Sequence, residues 1–362
     1  MKLTINTKEL QEMVARSIKG AGNNKLLPIT SLMAVQVADN TLRLITTDAT
    51  NYLYVITDVS NSDFSITVYA EQFAKLISKM TSENVTIEVK KNGLEIKGNG
   101  TYTLELPYDE NGEPIKYPDP LSVYAMPAVE KFIDLATIQS VLTTLKPALA
   151  TTLEVPCYTS YFVGDTVVAT DTFKIASLDE NLFGEDVLIS DETMNLLSVM
   201  RDEKIGVVRK DNDIVFTSQD CYVYGKVMPG IEDYAIDAID NLVGTEFPSV
   251  CKLSKGALLQ VLDRLSLFVS TYDKNGIYLT FTKDGVQVSS KASNGIEIID
   301  YVESAGHNNF TCCVDIEMLT SQAKANVSDA ITLHYGLDNA LKIVDGNITQ
   351  IIALLEDDRG QA

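Results

Sequence analysis

The sequence predicts an α+β fold made of three copies of one structural unit. Its 362 residues exceed an ordinary single domain. Two or three domains of about 100 to 150 residues each would account for this length. A succession of helix, strand, helix and hairpin patterns recurs at an offset of about 120 residues, which indicates an internal repeat. Two turn-rich segments separate the copies.

Each copy opens with an amphipathic helix, predicted over residues 7–19, 135–149 and 254–268. Apolar side chains recur there at three- and four-residue spacing, so they share one helical face. Thr7 has the side chain of a helix N-cap. The predicted stripes consist of Leu10, Met13, Val14 and Ile18 in the first copy, Ile138, Leu142, Leu145 and Leu149 in the second, and Leu258, Val261, Leu262 and Leu265 in the third.

A strand that runs into a second, shorter helix follows in each copy, at residues 64–80, 185–200 and 309–320. An alternating segment there meets a first turn that carries carboxylates, as expected at a helix start. A β-hairpin comes next, at residues 85–96, 205–216 and 331–343. Asn92-Gly93 is a strong hairpin signal, and the Asp-Asn junctions of the other two are weaker forms of it.

Proline and glycine mark the boundaries between the copies. Residues 107–127 contain five prolines, and residues 227–248 combine two prolines with two glycines. Such segments favour loops over regular structure. We therefore predict three domains, at residues 1–125, 126–245 and 246–362.

The composition favours a cytoplasmic protein with no membrane partner. No apolar run approaches the 18 or so residues of a membrane span, and the N-terminus alternates like a strand. The five cysteines are odd in number and lack CxxC spacing, so we expect reduced and mostly buried thiols.

The net charge of −21 opposes DNA binding unless cations are concentrated locally. The six stretches predicted as helical, with their adjoining turns, hold 12 Lys and Arg against 11 Asp and Glu, so the excess acidity lies outside them; they are residues 7–25, 70–80, 134–152, 190–204, 254–271 and 314–326. Solvated faces of amphipathic helices would give the same distribution. If the helices do face DNA, the candidate contacts are the cations beyond the first turns: Arg16, Lys19, Lys75, Lys79, Lys146, Arg201, Arg264 and Lys324.

The sequence offers little for catalysis. It has only two histidines, His307 and His334, which is a poor supply for a metal cluster or a histidine-based triad. Residues 20–25 lack the Gly-Lys-Ser/Thr ending of a phosphate loop. Pairs such as Asp357-Asp358 and Glu185-Asp186 are expected by chance in so acidic a chain. We therefore predict a protein that is not an enzyme and has no cofactor and no metal.

Three stretches carry a resemblance to a known family: residues 27–31, residues 41–48 and, above all, Val168-Ala-Thr-Asp-Thr-Phe-Lys-Ile-Ala176. With the repeat and the length, they resemble the bacterial DNA polymerase III beta subunit, the sliding clamp, over essentially the whole chain. The resemblance implies three clamp domains, each with two helices packed on antiparallel β-sheets. It also implies that two chains form a head-to-tail homodimeric ring, which encircles double-stranded DNA without sequence preference.

The same resemblance implies that the DNA polymerase and the clamp loader bind through peptide motifs, in a pocket between the middle and third domains. Carried over by position, the pocket residues are Thr170, Thr172, Phe173, Lys174 and Ile175, with Ile351, Ala353 and Leu355 from the last strand. Thr172, Phe173 and Lys174 replace the family's usual glycine, histidine and arginine, and residues 231–239 lack its proline and arginines. Such departures fit a divergent member, for example a phage-encoded one.

Three alternatives remain open from sequence. Ile175, Ile351 and Leu355 are also what an ordinary apolar core would contain. A clamp-like chain could be monomeric or pair with another subunit, which its mass in solution would reveal. From a different class, a repetitive β-rich virion or surface structural protein would share the repeat but would not be retained on circular DNA.

Overall fold

The structure, a computed structural model, describes residues 1–60, 63–90, 93–122, 128–129, 131–305 and 309–356. Several features of the sequence lie outside these ranges: Asn92 of the first hairpin turn, His307, the pair Asp357-Asp358, and the predicted boundary between residues 125 and 126.

Within the described ranges the chain forms seven α-helices and 24 strands. The helices are α1 Thr7–Ser17, α2 Ala70–Ser78, α3 Leu135–Thr144, α4 Asp191–Leu197, α5 Ile236–Gly244, α6 Lys255–Leu265 and α7 Ile316–Ala325. None of these helices is long and apolar enough to cross a membrane.

The strands are β1 Lys2–Asn6, β2 Leu32–Ala38, β3 Thr41–Thr47, β4 Tyr52–Asp58, β5 Phe64–Tyr69, β6 Asn84–Lys90, β7 Gly93–Lys97, β8 Thr101–Leu104, β9 Lys131–Asp134, β10 Ser160–Val163, β11 Val167–Thr170, β12 Lys174–Leu178, β13 Val187–Ser190, β14 Lys204–Lys210, β15 Asp213–Thr217, β16 Cys221–Lys226, β17 Ser249–Ser254, β18 Gly276–Phe281, β19 Gly285–Ser290, β20 Ile296–Ala305, β21 Phe310–Asp315, β22 Ala330–Tyr335, β23 Ala340–Asp345 and β24 Ile348–Ala353.

The predicted elements recur three times. A strand enters the first helix of each copy (β1–α1, β9–α3 and β17–α6), another enters the second helix (β5–α2, β13–α4 and β21–α7), and a hairpin follows (β6–β7, β14–β15 and β22–β23). Each first helix ends earlier than predicted, with a separate 3-10 turn after it. These elements agree with the repeat; the three domain boundaries themselves stay a prediction.

The N-cap of α1 differs from the prediction by one residue. Asn6, not Thr7, caps the helix, and its Oδ1 accepts hydrogen bonds from the backbone N–H groups of Lys8 and Glu9 at 3.0 and 3.4 Å. Asn6 is extended while Thr7 is already helical and buried, so the amide side chain reaches the free N–H groups of the first turn.

The chain divides into two compact units. Unit 1 comprises Met1–Ile138 and Glu192–Val227. It contains a four-stranded sheet in the order β1-β6-β7-β8 and an eight-stranded sheet in the order β5-β2-β3-β4-β16-β15-β14-β9. The antiparallel pairing of β4 with β16 joins strands of the first and second copies into one sheet. Helix α1 packs against α2 in this unit.

Unit 2 comprises Gln139–Asp191 and Met228–Ala362. Its sheet has twelve strands, in the order β13-β10-β11-β12-β24-β23-β22-β17-β20-β19-β18-β21. The antiparallel pairing of β12 with β24 places Ile175 opposite Ile351 and joins strands of the second and third copies. Helices α6 and α7 pack against each other, and their stripes of Leu258, Leu262 and Leu319 lie in the core of the third copy.

The segment between the second and third copies, where the sequence predicts loops, contains a helix. After a 3-10 turn at Ile231–Asp233, α5 runs from Ile236 to Gly244. Ile236, Ile239 and Val243 recur at helical spacing and all face the same apolar cluster. Burial of this face holds a short helix in place, because so few residues would not form a stable helix alone.

Candidate functional site

The buried cation Arg16 is committed to an internal ion pair. Its side chain is 11% exposed, and its two terminal nitrogens donate to the carboxylate of Asp220 at 2.5 and 2.9 Å. Nε donates to the carbonyl of Val199 at 3.0 Å. The hydrogen bonds from Arg16 hold the pKa of Asp220 below its usual value. Since this geometry occupies the guanidinium, Arg16 is poorly placed to bind a phosphate.

Four of the other candidate cations form exposed or half-exposed ion pairs. Arg201 pairs with Glu12, Lys75 with Glu71 at 2.6 Å, Lys146 with Asp191 at 2.8 Å, and Arg264 with Glu297 at 2.5 Å. The remaining three candidates, Lys19, Lys79 and Lys324, are exposed, and no carboxylate lies within ion-pair distance of them among the residues that the structure describes.

In the structure, four of the eight candidate cations lie beyond the ends of the α-helices. Helices α1, α2, α3, α4, α6 and α7 hold six Lys and Arg against seven Asp and Glu, so they are nearly neutral. The sequence-based stretches were longer and included Lys19, Lys79, Lys146 and Arg201 in turns beyond the helix ends. The free cations therefore sit at or near the C-terminal ends of helices, where the helix dipole also favours them.

The motif at residues 170–175 forms a tight turn between β11 and β12. Thr170 Oγ1 donates to the carbonyl of Lys174 at 2.7 Å, and Asp171 Oδ1 accepts from the N–H groups of Phe173 and Lys174 at 3.0 and 2.7 Å. Thr172 has a φ of 78°, which a β-branched residue rarely adopts. The family's usual glycine would adopt this conformation without strain.

Phe173 is the exposed apolar side chain of the candidate partner site. It is 59% exposed and borders a concavity of about 280 Å³, whose wall includes Val155 and Tyr158. Lys174 is held by internal contacts: its ammonium donates to the carbonyl of Pro147 at 2.8 Å and lies 3.0 Å from the carboxylate of Asp171. Phe173 is therefore accessible to a ligand, whereas Lys174 is mostly buried.

Ile175 and Ile351 lie beneath the segment that contains α5. Both are buried in one apolar cluster with Tyr234 and Ile239. Tyr234 anchors the segment, because its hydroxyl donates to the carbonyl of Val168 at 3.2 Å. The structure thus places these two isoleucines as core residues, the alternative that the sequence left open, and their contact with a partner stays a prediction.

Ala353, the last residue of β24, lies beside the same turn. The N–H of Ala353 donates to the carbonyl of Phe173 at 2.8 Å, and the N–H of Leu355 donates to the carbonyl of Cys313 at 2.8 Å. Both side chains are half-buried. Ala353 therefore lies next to the accessible Phe173, while Leu355 is held against β21.

Cysteine and histidine side chains in the described part of the chain are buried or half-buried. No group of three or more His, Cys, Asp or Glu side chains there could hold a metal ion. The five cysteines are buried and reduced. Burial, together with the charge of nearby Lys342, lowers the pKa of His334, so this imidazole is neutral near pH 7.

Residues 1–113 match the sequence family described as DNA polymerase III beta subunit, N-terminal domain. Among curated proteins, none is significantly similar in sequence to the chain. Solved structures are similar over nearly the whole length. The beta subunit from DNA polymerase of Streptococcus pyogenes gives a TM-score of 0.86 at 17% identity, over 99% of this chain and 100% of that one.

Two further structures agree. The DNA polymerase sliding clamp of Bacillus subtilis gives a TM-score of 0.82 at 17% identity, over 99% of both chains. That of Pseudomonas aeruginosa gives 0.82 at 16% identity, over 99% of this chain and 100% of that one. The chain has the sliding-clamp fold. Its sequence is divergent within that fold, since identity to these three clamps stays below one residue in five.

Two of the open strand edges among the described residues carry exposed apolar side chains. Strand β8 is the last strand of its sheet, and residues 296–300 of β20 pair only with β19. Exposed apolar side chains lie on or next to both edges: Tyr102 on β8, Ile296 and Ile298 on β20, and Leu267 and Phe268 after α6. These side chains are not among the candidates predicted from sequence, although the alternation of Ile296, Glu297 and Ile298 is typical of a strand with one apolar face.

Proposed function

We propose that the protein is a DNA sliding clamp, a polymerase processivity factor that encircles duplex DNA and tethers a replicative polymerase. One observation carries the proposal: the fold of known clamps is matched across 99% of this chain and all of the Streptococcus pyogenes subunit. The matching N-terminal family supports the same conclusion. On this proposal the protein is not an enzyme, needs no cofactor and acts in the cytoplasm.

The charge distribution suits a protein that must slide. Free cations such as Lys19, Lys79 and Lys324 can reach phosphates, and the near-neutral helices limit how tightly DNA is held. Phosphate contacts carry no sequence information, so they permit movement along the duplex. We therefore assign the eight candidate cations a sequence-independent role, with Arg16 the weakest candidate because Asp220 holds it.

Ring closure is proposed as head-to-tail pairing of two chains through the open edges. Strand β8 of one chain would pair with residues 296–300 of β20 in the other chain. Backbone N–H and C=O groups on both edges would then gain partners. Tyr102 would then cover the exposed apolar group that contains Ile296 and Ile298. Two identical contacts of this kind close a dimer and stop further growth.

Partner recognition is proposed at the concavity beside Phe173. The hollow combines apolar side chains with hydroxyl groups and the carboxylates of Glu154 and Asp171, and this mixture suits a short, partly apolar peptide of a polymerase or clamp loader. Thr170, Thr172, Lys174 and the end of β24 would shape this site from within. Because α5 covers Ile175 and Ile351, a peptide would reach Phe173, Val155 and Tyr158 first.

The function is tested by topological retention. Labelled protein is loaded onto nicked circular DNA, freed of unbound protein, and followed before and after the circle is cut once. We expect retention on circles and rapid loss from the linear product, because a ring slides off free ends. Equal retention on both forms, or none on circles, would contradict the clamp and favour a structural protein.

Replacing Phe173 by alanine should weaken partner binding about tenfold while leaving retention on circles unchanged. An aromatic anchor in a hollow typically contributes more than about 1 kcal/mol to binding. A fluorescence titration with peptides from the cognate polymerase measures the change. Tyr69→Ala is a matched control, since Tyr69 is an exposed aromatic residue of unit 1. Equal affinity of wild type and Phe173→Ala would remove Phe173 from the site.

A further inference from the structure

Four of the candidate DNA-facing cations pair with carboxylates that are themselves accessible to solvent, and Arg264 with Glu297 is one of these pairs. In the pair Arg201–Glu12 the two side chains are 51% and 50% exposed. Lys75–Glu71 is more exposed still, and Lys146–Asp191 somewhat less. The pair Arg16–Asp220 differs, because Arg16 is almost enclosed and also bonds the backbone.

Exposed pairs of this kind can exchange partners at little cost. An exposed ion pair stabilises a protein by less than about 1 kcal/mol, because water and salt screen both charges. A phosphate oxygen offers a guanidinium or an ammonium group nearly the same hydrogen bonds as a carboxylate. The free energy gained when the cation moves from its carboxylate to a phosphate is therefore small, and so is the barrier to its return.

The exchange also changes the salt dependence of DNA binding. A free cation that binds a phosphate releases one counterion from the DNA, which steepens the fall of affinity with salt. A cation that leaves a carboxylate exposes an anion, which gathers a counterion of its own. The paired cation thus adds little to the salt slope, although it contacts DNA.

We infer that Glu12 competes with the DNA phosphates for Arg201. Each contact between Arg201 and the duplex is therefore brief, and the clamp slides with little friction. Glu71 and Asp191 do the same for Lys75 and Lys146. Glu12 acts through Arg201 and is a positioning residue that does not touch DNA. This role rests on the proposed function, since it requires Arg201 to face the duplex.

The decisive variant is Glu12→Gln in the full chain. A short, labelled linear duplex is the probe, because a ring can thread onto its free ends without a loader. Binding is followed by fluorescence anisotropy over a series of salt concentrations. We expect Glu12→Gln to bind about two- to tenfold more tightly at low salt and to steepen the slope of log affinity against log salt by about one for each freed Arg201.

Glu9→Gln is the matched control. Glu9 lies on the same helix and its removal changes the net charge equally, but its carboxylate accepts a hydrogen bond from the hydroxyl of Thr57 at 2.6 Å and pairs with no cation among the residues that the structure describes. We expect Glu9→Gln to raise affinity slightly and to leave the salt slope unchanged. Equal slopes for Glu12→Gln and Glu9→Gln would overturn the inference.

A second comparison separates this role from a general charge effect or a loss of folding. Arg201→Gln should change the slope little in wild type but should lower it by about one for each copy in the Glu12→Gln background. Equal effects of Arg201→Gln in both backgrounds would overturn the inference. If wild type is retained on circles and Arg201→Gln changes the slope equally in both backgrounds, only the role of Glu12 is disproved. If wild type is not retained on circles, the proposed function is disproved as well.

Discussion

The variant Ile298→Asp should be monomeric and should be lost from circular DNA. Ile298 is 64% exposed on the open part of β20, so the substitution leaves the folded chain intact. In a closed ring the aspartate would be buried between two strands without a partner, at a cost of about 3 kcal/mol. Because a dimeric ring contains this contact twice, the total penalty is about 6 kcal/mol, or four orders of magnitude in the dissociation constant.

Sedimentation measures the change directly, since one chain has a mass of 39.7 kDa and the ring would have twice that. The control is Val327→Asp, which places the same charge on an apolar side chain that is 71% exposed but lies on no open strand edge. This control should remain dimeric and stay on circles. A dimeric Ile298→Asp protein would show that the ring closes elsewhere or that the edge of β20 takes no part.

The repeat could be read from the sequence because its signals are local. Helical spacing in residues 254–268, for example, depends only on the side chains of that segment, and the structure forms α6 there. The same holds for the hairpins, whose alternation and turn residues lie within a dozen positions. Sequence reasoning succeeded where short-range pattern and tertiary packing agree.

The charge of the candidate DNA face could not be read in this way. Arg16 and Asp220 are separated by 204 positions, so no local sequence pattern predicts that they form an ion pair. Arg201 and Glu12 are equally remote in sequence. A count of charges assumes that every cation is free, whereas in the folded chain five of the eight candidates form ion pairs with carboxylates.

Helix α5, which covers part of the candidate partner site, was not predicted from the sequence for a related reason. The helical spacing of Ile236, Ile239 and Val243 lies within residues 227–248, where prolines and glycines favour a loop, so no helix was predicted there. Once α5 forms, its apolar face packs on Ile175 and its neighbours. A divergent segment can thus cover residues that positional transfer alone would leave open.

Breaking the Arg16–Asp220 pair should destabilise unit 1, and removing the more exposed partner should cost more. Asp220→Ala leaves the guanidinium of Arg16 enclosed without a counter-charge, which we expect to lower the free energy of unfolding by about 3 kcal/mol. Arg16→Met leaves Asp220, which is 38% exposed and can be hydrated, so its expected cost is about 2 kcal/mol. Urea unfolding of each variant measures both values.

The pH dependence of stability gives the pair a second signature. Because hydrogen bonds from Arg16 depress the pKa of Asp220 in the folded state, the carboxylate stabilises the protein above its unfolded pKa, near 4. That contribution disappears as the pH falls through the depressed folded value. Wild type should therefore lose stability in acid more steeply than Asp220→Ala, which has no carboxylate to protonate.

The double variant Arg16→Met with Asp220→Ala distinguishes a coupled pair from two independent contributions. We expect it to cost clearly less than the sum of the single changes, since neither charge is then left unpaired. The control is Lys75→Met in the exposed pair with Glu71, which should leave unfolding unchanged. Additive costs in the double variant would mean that Arg16 stabilises unit 1 through packing and its bond to Val199, and that its charge remains free to meet DNA.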